Sequence, residues 1–123
     1  MIMTIMINTH FFPFRLDLRE RKPVQLTVEL ANKYEKAKLV TMEILLPRSL
    51  AFDKAGLKGI EQRKFEEIKT KKTKIYYFDI YPKTLTDEGE HQIRIKVAEY
   101  MNEEKEQKYV AKEYTKNLEL TVK

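Results

Sequence analysis

Apolar and polar residues alternate along several short stretches of this chain, and this alternation predicts β-strands. Residues 24–30 show it most clearly, with apolar side chains at Val24, Leu26, Val28 and Leu30 separated by polar ones. The same pattern recurs in residues 39–47, 75–82, 89–97 and 118–122. A strand with a period of two has one buried and one solvated face, which is what two packed antiparallel sheets require.

The number and spacing of these strands predict an all-β fold. About seven to eight short strands, with turns about every ten residues, indicate an Ig-like antiparallel β-sandwich. A chain of 123 residues forms a single domain of this kind. The residues expected in its core are Val28, Met42, Ile44, Phe78, Ile93, Ile95, Leu118 and Leu120. One segment, residues 55–68, has Leu57, Ile60, Lys64 and Ile68 at helical spacing and favours a short helix or a bent loop.

The N-terminal strand, residues 1–14, is apolar on both faces and is poorly suited to a solvated sheet edge. It is expected to be covered, either by pairing within its own fold or by a second copy of the chain in a two-fold homodimer. The candidate self-association residues are Ile2, Met3, Ile5, Ile7, Phe11 and Phe12.

Composition predicts the kind of source organism, and the N-terminal sequence predicts the cellular compartment. Charged residues make up 35% of the chain, and cysteine and tryptophan are absent. Enrichment in lysine and glutamate is typical of thermophile proteins, which predicts a thermophilic source. The apolar N-terminus has no basic region before it and no small-residue cleavage site after it. Because no stretch is long enough to span a bilayer, a cytoplasmic protein without a membrane span is expected.

The positive charge is concentrated in one segment. The net charge is +5, and residues 54–74 alone hold eight basic and three acidic residues, a difference of +5. The densest part is residues 69–74, with four lysines in six residues. A lysine-rich turn between two strands is either a solvated loop or a binding site for an anionic partner.

Tyrosines follow this turn on the outward side of the next strand, at Tyr77 and Tyr81. Exposed tyrosines beside lysines can stack on the bases of single-stranded nucleic acid. They can equally anchor a protein interface or pack at the rim of a sandwich. The candidate surface for an anion or another partner therefore comprises Lys69, Lys71, Lys72, Lys74, Tyr77 and Tyr81.

Residues that carry catalysis or bind metals are scarce. Ser49 is the only serine, and there is no cysteine to act as a nucleophile or metal ligand. His10 and His91 lack the spacing of a zinc site, and His91 is expected to pack at the start of a strand. We therefore expect no catalytic residue, no bound metal and no cofactor, and the chain is not expected to be an enzyme.

Four segments together resemble a known family: residues 39–47 (LVTMEILLP), 65–68 (FEEI), 75–82 (IYYFDIYP) and 89–93 (GEHQI). They are similar to the prokaryotic Ig-like adhesion modules of the CARDB and NEW3 type, over residues 23–98. The segment FDIYPK is also similar to small archaeal proteins without an assigned activity. The resemblance implies an interaction or scaffolding module and carries no catalytic residues.

Two functions follow from these observations. The first is a non-catalytic protein-interaction or structural module whose partner is a protein. The alternative is a nucleic-acid or polyanion binder that uses the lysine-rich turn at residues 69–74.

Overall fold

The computed structural model describes residues 4–100 and 110–123. Within them the chain forms nine strands: β1 (Ile5–Phe12), β2 (Arg15–Leu16), β3 (Val24–Asn32), β4 (Lys38–Leu45), β5 (Leu50–Ala51), β6 (Ile60–Ile68), β7 (Thr73–Pro82), β8 (Gly89–Tyr100) and β9 (Val110–Val122). The described residues contain no helix.

The strands form two sheets. The first has the order β1-β3-β7-β5, and the second has the order β2-β9-β8-β4-β6. Neighbouring strands are antiparallel, except that the short β2 pairs with β9 in parallel. The all-β, two-sheet, sandwich-like fold predicted from the alternation is confirmed.

The core lies between the sheets and is built from the alternate residues of the long strands. Of the eight residues expected there, seven are buried, and Leu118 is half-buried against them. In β4, Val40, Met42 and Ile44 face inward, while the residues between them stay half-exposed. The register of the predicted strands is therefore confirmed.

The short helix expected in residues 55–68 is absent, and that prediction is wrong. The segment instead forms a turn and then β6, which pairs with β4 at the edge of the second sheet. A β-bulge shifts the register between Val40 and Met42, and Phe65 in β6 adopts a φ of 52°. The extra residue in β6 interrupts the period of two, so Ile60 is exposed while Ile68 is buried.

The N-terminal strand pairs within its own chain. β1 lies antiparallel to β3, with Ile5 opposite Asn32, and Ile5 and Ile7 are buried in the core. Phe11 packs half-buried against the core, whereas Phe12 is 74% exposed. Ile5 and Ile7 are thus unavailable to a second copy. Ile2 and Met3 lie outside the described residues, and the homodimer stays a prediction.

A buried carboxylate connects the residue before β1 to the second sheet. Glu99 in β8 is 1% exposed. Its carboxylate accepts hydrogen bonds from Thr4 Oγ1 (2.6 Å) and Tyr114 Oη (3.0 Å) and pairs with Lys38 Nζ (2.8 Å). Burial acts to raise the pKa of Glu99, but the bonds from Lys38, Thr4 and Tyr114 outweigh it and hold the pKa below its usual range.

Candidate functional site

A cleft of about 570 Å³ opens at the end of the sandwich where β3 begins and β7 ends. Four cationic side chains line it, one from each of four connections: Arg21 before β3, Arg48 after β4, Lys54 after β5 and Lys83 after β7. The described residues that line the cleft include no carboxylate. The cleft is therefore a cationic cavity assembled from loops, and we call it the cationic cleft.

Hydrogen bonds join three of the loops that carry these cations. The backbone N–H of Lys83 donates to the carbonyl of Ser49 (3.0 Å), and Thr86 Oγ1 donates to the same carbonyl (2.6 Å). Arg21 Nη2 donates to the carbonyl of Lys83 (2.9 Å), which connects the loop before β3 to the loop after β7. These bonds fix the position of the loops relative to one another.

The fourth loop, between β5 and β6, is closed by its own hydrogen bonds. Asp53 Oδ1 accepts from the backbone N–H groups of Leu57 (2.9 Å) and Lys58 (2.8 Å). Gly56 has a φ of 79°, a conformation that favours glycine, and a Cβ at this position would lie 3.6 Å from Lys83 Cγ. The loop thus packs against the loop after β7 and forms one wall of the cationic cleft.

The positive charge of the cleft is not neutralised by any of the residues that the structure describes. None of its four cations forms a salt bridge with any residue that the structure describes. Asp53 is next to Lys54, but its Oδ1 is occupied by backbone N–H groups. Like charges around a cavity raise the local positive potential, and arginine binds phosphate with two parallel hydrogen bonds. The cationic cleft is therefore suited to an anion with several oxygen atoms.

Ser49 also lines the cleft, and its hydroxyl contacts His91. Ser49 Oγ lies 2.5 Å from His91 Nδ1, and His91 Nε2 lies 2.8 Å from the carbonyl oxygen of Asp87. Because a carbonyl oxygen only accepts, Nε2 carries a proton, and in the neutral ring Nδ1 accepts from the serine hydroxyl. The sequence alone does not predict this pair. It attaches the start of β8, where His91 lies, to the segment between β4 and β5.

The lysine-rich turn lies at the other end of β7 from the cationic cleft. β7 has ten residues, and at about 3.3 Å per residue its ends are about 30 Å apart. Lys71 Nζ donates to the carbonyl of Lys33 (2.9 Å), and Lys74 Nζ pairs with Glu66 (3.4 Å). Two of the four lysines in the predicted set therefore have partners in their own chain.

The other four residues of the predicted set lie in different parts of the molecule. Lys69 and Lys72 are exposed at the lysine-rich turn. Tyr77 is 60% exposed on the outer face of the first sheet, whereas Tyr81 is half-buried and lines the cationic cleft. The structure therefore does not bring the six predicted residues together, and only Tyr81 belongs to the cleft.

The cations of the cleft cannot be recognised as a group from the sequence because they are far apart in the chain. Arg21 and Lys83 are 62 residues apart, yet the structure joins them by a hydrogen bond. One signal was available, since Arg48 and Lys83 each directly follow a proline at the end of a strand pattern. Proline lacks the N–H that continues a sheet, so the residue after it is often in a loop.

Among the described residues, no three side chains that commonly bind metals lie close enough to hold an ion. The described residues also include no helix with the length and apolar character needed to cross a membrane.

Comparison with known proteins shows that this chain shares its fold with solved structures. No protein-family model matches the chain, and no curated protein matches its sequence. A similar solved structure is that of the Pseudomonas fluorescens alkylpurine DNA glycosylase AlkC bound to DNA containing an abasic site analog, with a TM-score of 0.50 and 9% identity. The match covers 97% of this chain and 30% of the glycosylase chain. At this identity the likeness shows the shared fold alone.

This finding corrects the function predicted first from the sequence. The chain was expected to be a non-catalytic protein-interaction or structural module, whereas a solved structure that shares its fold is that of a glycosylase bound to DNA. The prediction of such a module is therefore wrong. The resemblance to the CARDB and NEW3 modules stays a prediction.

Proposed function

We propose that this chain binds nucleic acid and that the cationic cleft holds phosphates of the backbone. The observation that carries the proposal is the convergence of four cations from four separate loops on one cavity. Among the described residues these cations form no salt bridge, and those that line the cavity include no carboxylate. Phosphate contacts from arginine and lysine supply most of the affinity of a nucleic-acid-binding protein that does not read sequence. The proposal concerns binding and assigns no catalytic residue.

The exposure of the cations suits a phosphate backbone. Arg21, Arg48 and Lys54 are exposed, whereas Lys83 is half-buried in the wall of the cleft. Exposed side chains can reach successive phosphates of a strand, and the half-buried lysine adds a contact from the wall of the cleft. The bond from Arg21 to the carbonyl of Lys83 leaves the other guanidinium N–H groups of Arg21 free to donate to an anion.

The shared fold gives the proposal its second support. The glycosylase AlkC contains a region of this fold and was solved bound to DNA, and the present chain spans 30% of its length. We therefore expect the chain to act as a nucleic-acid-binding domain, and we take DNA as the first nucleic acid to test.

The experiment compares two triple variants that each remove three positive charges. One variant, Arg48→Gln/Lys54→Gln/Lys83→Gln, changes the cationic cleft. The matched control, Lys69→Gln/Lys71→Gln/Lys72→Gln, changes the lysine-rich turn. Affinity is measured by fluorescence anisotropy with a labelled DNA duplex of mixed sequence and with the corresponding single strand, at low salt.

We expect the cleft variant to lose at least tenfold in affinity and the control to change little, because each lysine or arginine on a phosphate contributes separately. Equal losses in both variants would mean a diffuse effect of net charge and would refute the cleft as the site. Loss in the control alone would place binding at the lysine-rich turn. If the unchanged protein does not raise the fluorescence anisotropy of either DNA at low salt, the proposed function is wrong.

A further inference from the structure

Two leucines are unusually exposed beside the cationic cleft. Leu85 is 90% exposed and Leu57 is 86% exposed, and no other large apolar side chain in the described part of the chain is as exposed. Leu85 lines the cleft itself, and Leu57 directly follows Gly56, which also lines it. Single exposed leucines are common on protein surfaces. Here, however, two of them lie beside the same cavity.

Both leucines are held by well-bonded turns. The backbone N–H of Leu57 donates to Asp53 Oδ1 (2.9 Å), and the carbonyl of Lys58 accepts from the N–H of Phe52 (2.7 Å). The loop that carries Leu57 is therefore closed on both sides of it.

The turn that carries Leu85 is equally constrained. Thr86 Oγ1 donates to the carbonyls of Ser49 (2.6 Å) and Lys83 (2.8 Å), and the backbone N–H of Thr86 donates to the carbonyl of Lys83 (3.2 Å). The exposure of both leucines thus follows from bonded loop geometry. In the free protein each side chain is presented to water without a partner, and a ligand that covers it gains from the removal of that apolar surface.

An apolar side chain next to a phosphate-binding cation has a known use in nucleic-acid recognition. Proteins that deform duplex DNA insert apolar side chains, often leucine, between neighbouring base pairs while basic residues hold the backbone. The cations of the cleft supply the second part of this arrangement, and Leu57 and Leu85 supply the first.

We propose that Leu57 and Leu85 insert between stacked bases of a DNA duplex whose phosphates lie in the cationic cleft. This inference rests on the proposed function and specifies its substrate class: duplex DNA with a step that is easily unstacked. The cost of unstacking falls at flexible steps and at mismatched pairs. The protein is therefore expected to bind a duplex with a central mismatch more tightly than the fully paired duplex.

The test measures base unstacking separately from binding. Duplexes carry 2-aminopurine at the central step, with and without a neighbouring mismatch, because the fluorescence of this base rises when it is unstacked. The variant is Leu57→Ser/Leu85→Ser. The matched control is Met6→Ser/Ile75→Ser, which changes two exposed apolar residues of the first sheet that lie toward its opposite end. Circular dichroism of both variants checks that they are folded.

The expected result is a fluorescence rise with the unchanged protein and with the control, and its loss with the leucine variant. The leucine variant is expected to lose more affinity for the mismatched duplex than for the fully paired one, and so to lose the preference for the mismatch, with the same dependence of its binding on salt. If the unchanged protein binds in a salt-dependent manner but gives no rise, the insertion is refuted while the proposed function stands. If no DNA is bound, both fail together.

Proteins that bind membrane surfaces also combine exposed leucines with neighbouring cationic side chains. Vesicles of phosphatidylserine and phosphatidylcholine are therefore included in a sedimentation assay. Binding to these vesicles that is lost in the leucine variant, with no effect of that variant on 2-aminopurine fluorescence, would assign the leucines to a lipid surface and overturn the insertion.

Discussion

The replacement Glu99→Gln tests how the buried carboxylate stabilises the fold. Glu99 is 1% exposed and accepts bonds from Thr4 (2.6 Å), Tyr114 (3.0 Å) and Lys38 (2.8 Å). The amide of glutamine keeps one accepting oxygen, but it places an N–H₂ group toward a donor. It also removes the charge that pairs with the ammonium of Lys38, whose side chain is 22% exposed.

The expected cost can be worked from these contacts. Breaking a buried ion pair costs about 3–5 kcal/mol because the remaining charge loses its partner. The ammonium of Lys38 can partly return to water, which lowers that cost, while the misplaced amide adds to it. We therefore expect the free energy of unfolding at neutral pH to fall by about 2–4 kcal/mol.

The pH dependence has a definite sign. The folded-state pKa of Glu99 lies below its usual value, so the carboxylate stabilises the fold fully above the unfolded value of about 4.3. This contribution is lost as the pH falls through the folded pKa. The stability difference between the unchanged protein and Glu99→Gln should therefore shrink below about pH 4.

The assay is urea unfolding followed by circular dichroism at pH 7 and at a series of lower pH values. Glu43→Gln is the matched control, because Glu43 lies on the outer face of β4 and accepts an exposed hydrogen bond from Gln62. The control should change stability by less than about 0.5 kcal/mol. A Glu99→Gln protein as stable as the control, or a difference that grows toward low pH, would show that the ionised carboxylate of Glu99 does not stabilise the fold.

Three further predictions follow from the described contacts. Ile44→Ala, at a fully buried position of β4, should lower the free energy of unfolding by about 2–5 kcal/mol in urea, and a loss below about 1 kcal/mol would contradict the core described here. Deletion of residues 1–14 removes Ile5 and Ile7 from the core and should abolish the cooperative thermal transition seen by circular dichroism; a truncated chain that still unfolds cooperatively would show that β1 is dispensable. Ser49→Ala removes the hydroxyl that donates to His91 Nδ1 and should cost about 0.5–1.5 kcal/mol of stability, together with a shift of the His91 ring signals in NMR; unchanged signals would show that the bond is not formed in solution.

The architecture could be predicted from the sequence because a strand with one buried face shows a regular alternation of apolar and polar residues. Val40, Met42 and Ile44 alternate with less buried residues, and the structure places all three in the core. The same reasoning failed in residues 60–68, where the extra residue at the bulge near Phe65 interrupts the alternation. Local irregularities of this kind depend on the partner strand, which a single sequence does not reveal.

The candidate site was much harder to predict from the sequence than the fold was. The lysines at residues 69–74 were conspicuous because they are adjacent in sequence, whereas the cations of the cleft are scattered over four connections. Ser49 and His91 are 42 residues apart and meet only because β5 and β8 begin at the same end of the sandwich. Loop positions are set by tertiary contacts, and the hydrophobic pattern carries little information about them.

The salt dependence of DNA affinity shows whether phosphates are bound in the cationic cleft. Each phosphate contact contributes about 0.9 to the slope of log K against log salt concentration for duplex DNA. Replacing Arg48, Lys54 and Lys83 by glutamine should therefore reduce the slope by about 2–3 relative to the unchanged protein. The same slope in both proteins, with the reduction found instead in the variant of Lys69, Lys71 and Lys72, would contradict the assignment of phosphate binding to the cationic cleft.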